Sequence, residues 1–266
     1  MTYDYSGAEV TETALEEVAA DFKDNPVDFF LESDIQSRLY ETVRRILREN
    51  DELRYPPNVF ENTVRIAEET VGAGSYDDWF AEYTNSKPVK DCHLTRVHTE
   101  TWLSEEWDYS NDNKLDMVVL DYPGYRPVQL FKGRRRIEES AIGAAIELKY
   151  LARDAAFPRL PRSVDAKSAS VDSLANDIKL DSSGIEKDLK SLQKISEGHK
   201  RESYFVLATM YDPLCRGEHA KRHLSNAQVK EKTGDALVQL VRDEFPKVNF
   251  LYLYPDGKEW LNRARE

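Results

Sequence analysis

Only two cysteines, Cys92 and Cys215, occur in the 266 residues, too few for a disulfide framework and suited to a reducing compartment. No apolar run approaches the ~18 residues that a membrane-spanning helix needs. The opening segment, MTYDYSGAEVTE, is acidic where a secretory leader is basic and then apolar. Together these absences point to a cytoplasmic protein with no membrane association. Positive charge is also in short supply. With 37 Lys and Arg against 49 Asp and Glu, the net charge is −12, so the mean field repels nucleic acid and anionic membranes alike. A polyanionic partner therefore requires a local basic patch. There is no P-loop, no GxGxxG and no GxSxG, which removes the simplest nucleotide-binding and serine-hydrolase readings. Internal repeats and low-complexity tracts are missing as well.

What is present is ample material for a core: 40% hydrophobic residues, with 14 Tyr, 10 Phe and 4 Trp, enough for one large or two modest domains. Short basic runs occur at VRRILR (43–48), KGRRRI (132–137) and HKR (199–201). Apolar spacing predicts an amphipathic helix over 8–22, a second from Asn25-Pro26 to about Asn50, and a third over 58–71 after Pro56-Pro57. Strands are expected at 92–103, 114–121 and 141–151. A short helix at 171–179, a helix at 185–196, a strand at 203–211, a helix at 226–243, a strand at 249–254 and a helical C-terminus follow. This order predicts an α/β fold, a mixed central sheet flanked by helices. Residues 1–90 form the helical N-terminal part, including a first core helix over about 27–50, and residues 91–266 the α/β core.

The segment AIGAAIELKYL (141–151) is apolar apart from Glu147 and Lys149, which alternation places on one face of the expected strand. Burying either charge without partners is costly. An acid-x-Lys triplet is common by itself, and the chain has seven. Only this one lies inside a continuous apolar strand, and only it follows another apolar strand with an acid, Asp116 in LDMVVLD. Adjacent strands would bring Asp116 beside Glu147, and paired carboxylates suit a hard cation such as Mg²⁺. Asp121, at the far end of the same strand, is a rival acid whose parity puts it on the opposite face.

The order of elements and the Asp116…Glu147-x-Lys149 triad resemble the PD-(D/E)XK, restriction-endonuclease-like nuclease superfamily. The helix FLESDIQSRLYETV (30–43) resembles that superfamily's acidic first core helix, with Glu32 as the added carboxylate, while Ser33-x-x-Gln36 reads as a capping box. The helix IEKDLKSLQKI (185–195) fits the same pattern. Two departures are that Leu115 stands where the proline of the name would be, and that 30 residues separate Asp116 from Glu147. The resemblance implies a metal-dependent DNA endonuclease of defence or repair. Asp116, Glu147 and Glu32 would hold one or two Mg²⁺ or Mn²⁺ ions, and Lys149 would orient or deprotonate the attacking water. Lys132, Arg134, Arg135 and Arg136, lying between the two metal-binding strands, would meet the phosphate backbone of DNA. A homodimer or a partner subunit is left open. The alternatives are a catalytically inactive nuclease-fold module for DNA or protein binding, and an unrelated α/β protein with a structural Glu-Lys pair.

A second constellation is weaker. Cys215, His219 and His223 are spaced at four, as zinc ligands on one helical face would be, and Cys92, His93 and His98 lie elsewhere in the chain.

Overall fold

The computed structural model describes residues 5–53, 95–103, 114–121, 136–137, 141–151, 157–180, 184–198 and 201–264. The expected helix at 58–71, the boundary near residue 90, and Cys92 and His93 lie outside these residues. Two compact units divide the chain, residues 1–14 with 40–144 and residues 15–39 with 145–266. Each is an α/β assembly whose strands form a mixed sheet arrangement with helices beside them. No helix among the described residues is long and apolar enough to cross a membrane.

In the first unit, strand β1 (Val97–Leu103) pairs antiparallel with β2 (Lys114–Leu120) and parallel with the short β3 (Arg136–Ile137), in the order β3-β1-β2. Val118, Val119, Leu120 and Met117 are all fully buried. Both faces of β2 are therefore covered at that end, which is why its sequence is a continuous apolar run rather than an alternating one. The start of helix α1 (Gly7–Asp24) is fixed to the end of β2 by Asp121, whose carboxylate accepts a 2.6 Å hydrogen bond from the Gly7 N–H. Gly143 makes room for it: a Cβ there would lie 2.2 Å from Asp121 Oδ1. Asp121 is thus occupied in placing α1, and the rival acid has a structural role.

Among the described residues of this unit Arg96 is the largest fully buried side chain. Its Nε donates to the Leu120 carbonyl at 2.8 Å, Nη1 to Glu52 Oε2 at 2.6 Å and Nη2 to the Tyr5 carbonyl at 2.9 Å. Three segments distant in sequence are joined by one guanidinium, whose rigid fork of donors suits three simultaneous acceptors.

The second unit orders its strands β4-β5-β6-β7, with β4 (Ile142–Leu151) entering from the first unit at Ala145. Strands β5 (Glu202–Thr209) and β6 (Val248–Tyr254) are parallel, in register from Ser203↔Val248 to Ala208↔Leu253. Parallel neighbours need a long crossover. It runs through α5 (Glu218–His223) and α6 (Ala227–Glu244), following α3 (Val171–Asp177) and α4 (Ile185–Gly198) between β4 and β5. The core includes Phe205 edge-on to Phe250 at 4.9 Å, and the buried Leu189 and Leu192 of α4.

Two expectations fail here. The C-terminus is not helical: Pro255-Asp256 forms a two-residue loop and Gly257–Asn262 returns as strand β7, antiparallel to β6. Asp-Gly after an apolar strand is a hairpin signal, and Glu16 of α1 holds the returning strand through Lys258 and Trp260. The second helix also starts late. Asn25-Pro26 opens a single 3₁₀ turn (Pro26–Asp28), after which Phe29 buries itself against Phe22, with ring centroids 5.3 Å apart, and α2 begins at Glu32 and ends at Glu49. Asp34, not Ser33, closes its N-terminus by accepting from the N–H groups of Phe30 and Leu31 at 2.8 Å each.

Arg96→Met removes the guanidinium from the Glu52 carboxylate and from the Leu120 and Tyr5 carbonyls, so it should cost about 3 kcal/mol or more in urea unfolding. A loss near zero would show that this guanidinium does not hold the unit together.

Candidate active site

Strand β4 begins with small residues, Gly143, Ala144 and Ala145, and runs buried through Leu148. Glu147 lies within that run, only 6% exposed. Lys149, two residues on and on the same face, emerges to 24% side-chain exposure. Its ammonium is met from two helices. Asp188 Oδ2, in the first turn of α4, approaches Nζ at 3.2 Å, and Glu32 Oε2, the first residue of α2, lies at 3.9 Å. The Asp188 contact is an ion pair and lacks the angle of an aligned hydrogen bond. Glu32 Oε2 also accepts a 3.3 Å bond from the Tyr150 N–H, so the helix terminus is attached to the strand as well as to the lysine.

Local structure explains each placement. Gly184, with φ of +77°, provides the left-handed turn that starts α4. Asp188 then occupies a first-turn position, where the helix dipole favours a carboxylate. The same rule favours Glu32 and Asp34 at the start of α2. Burial pushes the Tyr150 phenol above its ordinary range, and the nearby Asp34 carboxylate adds to the effect.

Of the residues expected from sequence, Glu32 and Lys149 are brought together, with Glu147 beside Lys149 on the strand. Asp116 belongs to the first unit, where it is half-buried on β2 between the buried Leu115 and Met117. Lys132, Arg134 and Arg135 lie outside the described residues, and Arg136 is placed by its backbone in β3, opposite Trp102. Asp188 was missed. Its triplet Asp188-Leu-Lys190 looks like a solvated helix face, and Lys190 does pair with Glu186 one turn away. The available signal was an acid in the first turn of the helix that precedes β5.

Among the described residues the zinc constellation does not assemble. The rings of His219 and His223 lie 4.5 Å apart between centroids, tilted by 42°, and line a cavity of about 420 Å³ with Tyr211, Asp212 and Asp256. Cys215 is buried apart from that lining, and burial pushes its thiol above its ordinary range. His98 is buried, with its Nε2 2.8 Å from the Thr95 carbonyl. Among the described residues no group of three or more His, Cys, Asp or Glu is arranged to hold a metal ion.

Compared with family models, with curated proteins and with solved structures, the chain matches none.

The ion pair between Lys149 and Asp188 is testable apart from any activity. Lys149→Met and Asp188→Asn, singly and together, should show a coupling of about 1 kcal/mol in unfolding free energy, modest because the lysine is partly solvated. Additive single effects would mean that the two groups do not support each other.

Proposed function

We propose that the chain is a metal-dependent phosphodiesterase, a DNA endonuclease with a restriction-endonuclease-like core. The observation that carries this reading is the placement of Lys149: an ammonium at the emerging end of an otherwise buried strand, on the same face as the buried Glu147, with Glu32 and Asp188 around it. A purely structural pair needs one carboxylate. Here two approach the lysine while a third lies two residues before it on the same strand, so several hard oxygen donors share one stretch of β4.

These carboxylates are not gathered as a group of three in this structure; as hard oxygen donors they suit Mg²⁺ or Mn²⁺ rather than a softer metal. Glu147 and Glu32 would supply ligands from the second unit, and the resemblance alone adds Asp116. A divalent ion held there would polarise a phosphate and lower the pKa of a bound water. The protein's own share falls to Lys149. Anchored by Asp188, its ammonium orients the water or steadies the negative charge that grows on the phosphate oxygens. The basic run from Lys132 to Arg136 would contact the phosphate backbone, a sequence-independent electrostatic term that weakens with salt.

The test is plasmid nicking. The purified protein should nick or linearise plasmid DNA with Mg²⁺ or Mn²⁺ but not with Ca²⁺ or EDTA, and Glu147→Ala, Lys149→Ala and Asp116→Ala should each abolish this while remaining folded. Full activity in the Glu147 or Lys149 variant would overturn the assignment. DNA binding by a wild-type protein that never cleaves would favour the non-catalytic module.

A further inference from the structure

The cavity of about 420 Å³ in the second unit lies past the carboxyl ends of the parallel strands β5 and β6. In open α/β sheets, ligands sit in crevices outside the carboxyl ends of strands. Here the residues just beyond each strand line the space, Tyr211 and Asp212 after β5 and Asp256 after β6, together with His219 and His223 of α5. The loop after β5 is strained. Asp212 and Cys215 have φ of +46° and +56°, a left-handed region that aspartate tolerates and cysteine rarely enters. Such strain persists where the surrounding structure imposes it, and it collects at ligand sites. The Asp212 carboxylate supplies part of that constraint, accepting from the Gly217 N–H at 2.6 Å and from the Tyr252 hydroxyl at 2.9 Å. Burial, with the Asp212 carboxylate beside it, pushes the Tyr252 phenol well above its ordinary range, so the hydroxyl stays a donor.

One kind of partner is missing from Asp212. It is 3% exposed, and both of its donors are neutral. A buried carboxylate ordinarily has a cation beside it. The cations that follow in the chain are engaged elsewhere, Arg216 with Asp235 and Glu259, Lys221 with Glu231 and Arg222 with Glu218. Among the described residues none forms an ion pair with Asp212, and no Lys or Arg lines the cavity. Two accepted bonds leave the carboxylate about two further acceptor positions. Asp256 brings a second carboxylate, which accepts from the His219 backbone N–H at 2.7 Å. An anion is disfavoured in such a place. No group of three or more metal-ligating side chains is gathered among the described residues, which leaves an organic cation. The rest of the wall suits its body: Met210, Leu224 and Pro255 are apolar, and Tyr211 is aromatic, a surface that also attracts an ammonium. We propose that this cavity binds a small primary amine, its ammonium donating to Asp212 and its apolar body lying against Met210, Leu224 and Pro255. None of these residues belongs to the cluster around Lys149, so failure of the nuclease reading leaves the amine site standing.

Three probes of similar shape test it, phenethylamine, phenethyl alcohol and hydrocinnamate, each titrated into the full chain at constant ionic strength and followed by calorimetry. The amine should bind at least about tenfold more tightly than the alcohol, the scale of one hydrogen bond to a charged group, and hydrocinnamate should not bind. Asp212→Asn keeps the size of the side chain and an acceptor for Gly217, and should bind amine and alcohol equally. Leu224→Trp fills the cavity without changing any charge, and should lose about tenfold or more of the amine affinity, which separates a site from general attraction of an amine to an acidic chain. Equal wild-type affinity for amine and alcohol, or no saturable amine binding up to about 10 mM, overturns the proposal and makes Asp212 only a brace of its loop. So does an amine preference retained in folded Asp212→Asn, or an unaltered affinity in Leu224→Trp. Should Asp212→Asn fail to fold, the wild-type comparison and Leu224→Trp still decide.

Discussion

Lys149 Nζ is the point on which three elements of the second unit converge, and the candidate site depends on that ammonium. Glu32 at the head of α2 and Asp188 in the first turn of α4 both lie within 4 Å of it. With it, the N-termini of two helices are drawn to the same stretch of β4, and their dipoles add to the field that favours anions at those ends. Glu147 lies in the same strand, further in and nearly buried. The acid-x-Lys triplet is thus the visible part of a larger cluster of charge.

The first unit is built on a comparable economy, one guanidinium joining Tyr5, Glu52 and Leu120. Its second fixed point, Asp121 over Gly143 and against the Gly7 N–H, answers a question of chemistry as well as of folding. An acid at the end of a buried strand is a fair candidate for a metal ligand until its partners are known. Here one of its oxygens accepts from a backbone N–H, which gives Asp121 a structural role.

Most of the regular structure was legible because it rests on period and punctuation. The strands at 114–120 and 142–151 and the helices at 185–198 and 227–244 follow their apolar patterns to within a few residues. Tertiary demands overrode local cues elsewhere. Asn25-Pro26 is a good helix start, yet the burial of Phe29 interrupts the helix for three residues. The C-terminal KEWLN could be read as helix, and becomes a strand because the edge of β6 and the Glu16 carboxylate of α1 are there to receive it. Within the candidate site, Glu147 and Lys149 stood out as charges in an apolar strand, while Glu32 was singled out by the resemblance and by its place on the inward face of its helix. Asp188 was not, because its role comes from a contact across 39 residues of chain that no local pattern encodes. Arg96 was hidden for the same reason, since a lone arginine before a strand ordinarily belongs to the surface.

The claim that Glu147 serves a metal rather than bracing the strand is tested most directly by thermal melting of wild type and Glu147→Gln, each with and without Mg²⁺ at constant ionic strength. At ten times its dissociation constant an ion bound only by the folded state adds about 1.4 kcal/mol, a rise of a few degrees for a chain of this size. Wild type should show that rise. Metal-free Glu147→Gln, relieved of one negative charge, should melt at or above wild type and respond to Mg²⁺ weakly or not at all. A destabilised variant, with Mg²⁺ changing neither protein, would contradict the account and make Glu147 a structural partner of its strand.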